Sequence, residues 1–169
     1  NLLSPNPKEE TGALVSGRTS GAMYLALAQG VRIYLPDGST RTWGAADGLP
    51  QGMPTILIED GAGRLWVGSG RSLVMKAPGE SKFKDQSRLL TASLSPNGTP
   101  FLDQDGSVWL PTQDGALHLT GDRSEQLDAR GGLPFKWVRT VLRVREGTLW
   151  VLGSTLARFL GGGRVRNYS

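Results

Sequence analysis

A repeat of about 42 residues runs through the chain, and that period restricts its possible folds more than any other feature. A short apolar strand with an aromatic near its start recurs at each period. It reads Met23-Tyr24-Leu25-Ala26-Leu27, then Leu65-Trp66-Val67-Gly68-Ser69, then Val108-Trp109-Leu110-Pro111-Thr112, then Leu149-Trp150-Val151-Leu152-Gly153. The aromatics Tyr24, Trp66, Trp109 and Trp150 stand 42, 43 and 41 residues apart.

Other positions keep the same register. A further strand follows each time, at Val31-Arg32-Ile33-Tyr34, Leu73-Val74-Met75-Lys76, Leu117-His118-Leu119-Thr120 and Leu156-Ala157-Arg158-Phe159. Another ends in an aromatic or Leu, at Thr42-Trp43, Lys82-Phe83, Gln126-Leu127 and Asn167-Tyr168. A turn then opens the next unit, Asp47-Gly48-Leu49-Pro50 in one place and Gly131-Gly132-Leu133-Pro134 two periods later, with Leu3-Ser4-Pro5 as a worn copy. Strands leading into the aromatic are legible at Ala13-Leu14-Val15, Thr55-Ile56-Leu57-Ile58 and Thr140-Val141-Leu142. The third unit carries three extra residues around Ser95-Pro96-Asn97-Gly98, and its first strand is either Leu90 to Leu94 or Thr99 to Leu102.

Each unit thus holds four short strands rich in Val, Ile, Leu, Trp and Thr, with Asp-Gly or Asn-Gly in the turns. No stretch sustains a helical period. The 24 glycines and 10 prolines fall at turn positions rather than in one linker. This is the arithmetic of β-propeller blades. The expected fold is all-β: four tandem, four-stranded antiparallel blades over residues 1–46, 47–88, 89–130 and 131–169, forming part of a larger ring. One blade cannot bury its own faces, so neighbours must stack, with Tyr24, Trp66, Trp109 and Trp150 packed between them.

Composition narrows the function. Hydrophobic residues are 38% and charged residues 20%, which suits a packed core and not a disordered chain. The absence of cysteine excludes a disulfide scaffold and thiol chemistry. The net charge of +4 raises nucleic-acid binding, but the basic residues are dispersed, and the tightest group, Arg139, Arg143 and Arg145, sits on a strand-like stretch. A mildly basic surface is the reading adopted, without a nucleic-acid partner. No run approaches the ~18 apolar residues of a membrane span. The opening Asn-Leu-Leu-Ser reads as the interior of a longer protein.

Asp47-Gly48-Leu49-Pro50, Ile56, Asp60, Gly63 and Leu65-Trp66-Val67-Gly68-Ser69 resemble the two-component-regulator propeller repeat. That repeat runs Gly-Leu-Pro, spaced Val and Ile, Asp-x-x-Gly, then Leu-Trp-Val-Gly-Thr. The second unit matches best; the fourth, from Gly132-Leu133-Pro134 to Leu149-Trp150-Val151, lacks the Asp; the first and third are degenerate. The resemblance implies a periplasmic sensor domain of a membrane-bound histidine kinase or related signalling protein, in a ring of about seven blades. It implies oligosaccharide or other small-molecule ligands, and a membrane attachment only through segments outside this chain. Four units would then need either further blades or self-association.

No catalytic residue, metal or cofactor is expected. The Leu-Trp-Val-Gly segments and the Asp turns read as structural, with Asp60, Asp105 and Asp114 bonding local backbone. The sole histidine, His118, alternates with Leu117 and Leu119 and reads as a satisfied or exposed strand residue. Gly161-Gly162-Gly163 lacks the Lys-Ser/Thr of a phosphate loop and reads as a turn. Ligands of propellers are expected on the face carrying the loops between second and third strands and those between blades. This nominates Gln29, Arg71, Gln113, Asp114 and Ser154 from the former, and Gln51, Lys136 and Trp137 from the latter. Trp137 lies outside the repeat's packing position and suits a sugar ring, though filling an interblade gap is the plainer account of it. Two other readings stay open: a protein-interaction scaffold, and a propeller enzyme of the streptogramin-lyase type, against which the single strand histidine argues.

Overall fold

The structure is a computed structural model that describes residues 10–160 and 164–168. The segments Leu3-Ser4-Pro5 and Gly161-Gly162-Gly163 discussed above lie outside the described residues. Among the described residues, sixteen strands form four antiparallel sheets of four, each contiguous in sequence. Blade 1 holds β1 (Thr11–Ser16), β2 (Met23–Leu27), β3 (Gly30–Tyr34) and β4 (Thr40–Trp43). Blade 2 holds β5 (Ile56–Glu59), β6 (Leu65–Ser69), β7 (Ser72–Lys76) and β8 (Lys84–Asp85). Blade 3 holds β9 (Phe101–Leu102), β10 (Val108–Thr112), β11 (Gly115–Thr120) and β12 (Arg123–Leu127). Blade 4 holds β13 (Thr140–Arg143), β14 (Leu149–Leu152), β15 (Leu156–Leu160) and β16 (Arg164–Tyr168). Successive first strands adjoin, β1 to β5 to β9 to β13, and the blades make an open arc of a β-propeller rather than a closed ring.

Strand alternation decides which blade each side chain meets. Tyr24, Ala26, Val31, Ile33 and Trp43 of blade 1 pack on Leu57, Leu65, Val67 and Val74 of blade 2. The opposite face of blade 2, with Ile56, Ile58, Trp66 and Leu73, packs on Val108, Leu110, Leu117 and Leu119 of blade 3. Trp109 and Ala116 of blade 3 then meet Val141, Leu149, Val151 and Ala157 of blade 4. The core is therefore three interblade layers, and Tyr24, Trp66 and Trp109 face the following blade. Trp150, expected between blades, is instead half-buried on the outer face of blade 4, where only Tyr168 and Arg158 of its own sheet meet its ring, because no described blade follows it. Trp66 is fully buried, which stabilises by roughly 3 kcal/mol.

The Gly-Leu-Pro turns supply the connections. Gly48 and Gly132 both sit in the left-handed region, at φ +93° and +90°, ending one-turn 3-10 segments. The Leu that follows, Leu49 or Leu133, is thereby turned into the interblade layer.

The first strand of the irregular third unit falls in the later candidate segment, Thr99 to Leu102, and the earlier one contributes only a single bridge. Phe101 and Leu102 pair with Trp109 and Val108, and Leu94 bridges to Thr112 farther along the same β10. Ser95 to Gly98 loop out between them, closed by Gly98 N–H donating to Ser95 O at 3.1 Å. In blade 2 the fourth strand starts one residue after Phe83 instead of ending there. Phe83 packs edge-on to Trp43 with centroids 5.6 Å apart, and its N–H donates to Asp47 O at 2.8 Å, so both side chain and backbone serve the interblade layer.

Candidate functional site

An up-and-down blade has two rims. One carries the turns between first and second strands and between third and fourth. The other carries the turns between second and third strands and the interblade connections.

On the first rim, buried carboxylates organise the seams. Asp60 opens the turn after β5. Its Oδ1 accepts from the N–H groups of Ala62 and Arg64, as expected of a turn Asp. Its Oδ2 accepts from Trp66 Nε1 at 2.9 Å and Arg64 Nε at 2.7 Å. Asp103 repeats this in blade 3: Oδ2 accepts from Trp109 Nε1 at 3.0 Å, and Arg143 Nε of blade 4 lies 2.8 Å from the same oxygen. Burial pushes the Asp103 carboxyl up, but the bonds from Arg143 and Trp109 hold it below the usual carboxylate range.

Glu59 and Arg143 occupy equivalent positions at the ends of β5 and β13 and both reach back one blade. Glu59 Oε1 accepts from the N–H groups of Thr19 and Ser20, and Oε2 accepts from Ser20 Oγ at 2.6 Å and Tyr24 Oη at 2.7 Å. Burial raises the Glu59 carboxyl, yet these four donors keep it below its ordinary value. Burial, together with Glu59, pushes the Tyr24 phenol up to about 12, against the opposing bond from Ser20. Between them, at the blade 2–3 seam, Gly61 N–H donates to Gly106 O at 2.9 Å.

Asp103, Asp105 and His118 bring their donor atoms within 4.8 Å of one another. Each already has partners. Ser107 Oγ donates to Asp105 Oδ1, which leaves its lone pairs for His118 Nε2 at 2.6 Å. The imidazole stacks on Trp109 at 4.1 Å and 9°. Burial holds His118 below its ordinary value, against the pull of Asp105 and Asp103. Beside this network a cleft of about 520 Å³ is lined by Arg64, Gln104, Asp105 and Ser107.

The sequence-nominated residues lie on the other rim. Gln113, Asp114, Lys136 and Trp137 come together, because Gly115 N–H donates to Lys136 O and Gly115 bridges to Trp137. Gln113 N–H also donates to Ser93 O at 2.8 Å. Trp137 is half-buried, with Arg139 Cζ 5.9 Å from its ring centroid. Gln29 meets Gln51 across the blade 1–2 seam in a cleft of about 640 Å³, also lined by Gly44, Ala45, Pro50 and Gly52. Arg71 and Ser154 are exposed on the turns of blades 2 and 4 and line none of these clefts. Sequence reasoning passed over Asp103, Glu59 and Arg143. The first had a signal, since it precedes Trp109 by the six residues that separate Asp60 from Trp66; the other two act across a seam and had none.

The fold and its rims define this chain as a segment of a β-propeller, and comparison with solved structures returns propellers of several kinds. It is similar to the extracellular domain assigned to the hybrid two component system BT3049 from B. thetaiotaomicron, at 16% identity and TM-score 0.66, over 90% of this chain and 22% of that one. It is similar to virginiamycin B lyase from Staphylococcus aureus, at 13% identity and TM-score 0.74, over 98% of this chain and 57% of that one. The extracellular domain assigned to the hybrid system BT4673 from B. thetaiotaomicron gives 14% identity and TM-score 0.71, over 98% of this chain and 22% of that one. The chain thus spans less than two thirds of each of these proteins. Neither a protein-family model nor a curated protein matches its sequence.

Proposed function

We propose that this chain is the ligand-recognising segment of an extracytoplasmic sensor in a bacterial two-component signalling protein. The observation that carries the reading is the run from Asp47-Gly48-Leu49-Pro50 through Asp60 to Leu65-Trp66-Val67-Gly68-Ser69, folded as one propeller blade. Structural likeness to extracellular domains assigned to two-component systems supports it. The proposed ligand is an oligosaccharide on the rim that carries Gln113, Asp114, Lys136 and Trp137. There Trp137 is half-buried, its backbone bridges to Gly115, and the exposed residues Gln113, Asp114 and Lys136 adjoin that bridge in sequence. Further blades, or a second copy, complete the arc in this reading. Binding without turnover is part of it, and the engagement of His118 by Ser107 and Trp109 on the opposite rim supports that part.

Melting in the presence of an oligosaccharide panel tests this. A ligand at about a hundredfold excess over its Kd should raise the melting temperature by about 5–10 °C. Trp137→Ala should abolish the rise while leaving the unliganded melting temperature within a few degrees. A panel with no stabilising member, or a shift that survives Trp137→Ala, overturns the reading. Conversion of the bound sugar overturns its non-catalytic part.

A further inference from the structure

Each seam inside the arc repeats one arrangement. The aromatic of the second strand stands in a row with one residue of the third strand and one of the fourth, and that row faces the following blade. The rows are Tyr24–Ile33–Arg41, Trp66–Met75–Lys84 and Trp109–His118–Glu125. At the first seam Arg41 meets Lys76, the last residue of the third strand of blade 2. Both line one cleft, where Arg41 Cζ and Lys76 Nζ lie 5.9 and 5.2 Å from the Trp43 ring centroid. A fourth-strand residue of one blade thus faces the end of the third strand of the next. Each of these two cations has an acid of its own: Asp47 stands 3.3 Å from Arg41, and Glu80 acts on Lys76.

Blade 4 breaks the pattern. Its row is Trp150–Arg158–Arg166, with two like charges directly opposite each other on neighbouring strands. Such a pair is unfavourable without an anion to share. Arg158 Cζ lies 5.4 Å from the Trp150 ring centroid, and the Tyr168 ring lies 5.5 Å from the same indole. Among the described residues no hydrogen bond or ion pair engages Arg166. No carboxylate stands in this row or in the adjoining one, Thr140–Leu152–Leu156–Tyr168. Leu142, Leu152 and Tyr168 on this face are three of the six exposed large hydrophobics of the described residues, so the two arginines have an apolar border. Aromatic and arginine side chains at the centre of an apolar patch are the composition of a protein interface.

We propose that this face docks a β-blade that carries a carboxylate at the end of its third strand, where it meets Arg158 and Arg166. The docking continues the three seams already formed, since Leu142 is 50% exposed where the equivalent Ile58 is 5% exposed. The four blades of this chain have Tyr34, Lys76, Leu119 and Phe159 at the end of the third strand. None of these is acidic. The partner is therefore a blade other than these four, and a second copy of this chain is not the native occupant. The proposal deepens the sensor reading by naming the chemistry that completes its arc, and it rests on that completion and not on the sugar. The melting panel and the association test below can each fail alone.

Blade 1 of a second copy serves as the probe. Its face toward a preceding blade is uncovered, with Leu14 61% exposed, and Tyr34 holds the place of the acid. Sedimentation equilibrium at low salt compares the unaltered chain with Tyr34→Glu. The expected result is end-to-end association at least about tenfold tighter in Tyr34→Glu, weakened by added salt. Arg158→Gln combined with Arg166→Gln should cancel the gain. Thr40→Glu, exposed and directly opposite Tyr34, places the acid beside the same spot and guards against misfolding of Tyr34→Glu. The proposal is overturned when neither acid tightens association, or when the gain survives loss of both arginines. Association of the unaltered chain as tight as that of Tyr34→Glu assigns the face to a second copy and overturns it as well.

Discussion

Leu14 and Leu57 occupy the same place in blades 1 and 2, yet Leu14 is 61% exposed and Leu57 is 1% exposed. Leu57 has blade 1 in front of it; among the described residues, Leu14 has no blade in front of it. The far end mirrors this, with Leu142 at 50% where the equivalent Ile58 is at 5%. The end blades present the same faces that meet inside the arc.

Substitution at these two leucines should therefore part company. Leu57→Ala leaves a hole in a sealed layer and should cost about 2–5 kcal/mol. Leu14→Ala should cost no more than about 0.5 kcal/mol in this chain. Urea denaturation of both variants measures the difference, and equal costs would show that Leu14 is covered in solution.

Asp60→Asn keeps the size of the side chain and removes its charge. One of the two oxygens that serve Trp66 Nε1, Arg64 and two backbone groups becomes a donor facing donors. A loss of about 2–3 kcal/mol is expected, with a change in Trp66 emission. Equilibrium unfolding followed by fluorescence reads both.

His118 makes stability depend on pH. It is the only histidine in the chain, and burial depresses its folded pKa below the ordinary 6.5. As pH falls through that value the unfolded chain takes up a proton that the folded chain resists. Stability is thus highest above this region and declines through it until the folded imidazole is itself protonated. The melting temperature should drop between pH 7.5 and about 5.5. His118→Gln should flatten that segment of the curve, and a wild-type curve that is already flat refutes the assignment.

Gly61→Ala tests the middle seam. A methyl group there would come within 2.5 Å of Gly106 Cα, which is backbone and cannot swing aside. The seam must open, at a cost of about 1–3 kcal/mol. Hydrogen exchange should show the Gly61 amide, which donates to Gly106 O, losing protection before amides inside β6.

Much of this architecture was legible before any coordinates, for a physical reason. Four short strands and their turns consume a nearly constant length, so one packing aromatic per blade returns at a fixed interval. The third unit blurred because Ser95 to Gly98 loop out between Leu94, which makes one bridge to β10, and the two-residue strand β9 that pairs with β10 beside it. The rim bearing Gln29, Gln113 and Lys136 followed from up-and-down connectivity alone. Asp60 looked like a turn residue and is one, but its second oxygen serves an indole six residues on. Glu59, Arg143 and the group around Trp43 were hidden because their partners come from another blade. Trp43 and Lys76 lie 33 positions apart, on strands that no local pattern places side by side.

The three seams are fastened differently: an acid reaching back at the first, glycine backbones touching at the second, a base reaching back at the third. Blades so joined are not interchangeable parts. Exchanging the second with the fourth would set Arg143 before donors that want Glu59, and Glu59 before Asp103. The order of the units is thus written into their edges, and a duplicated or transposed copy would be rejected by charge before its shape was ever tried.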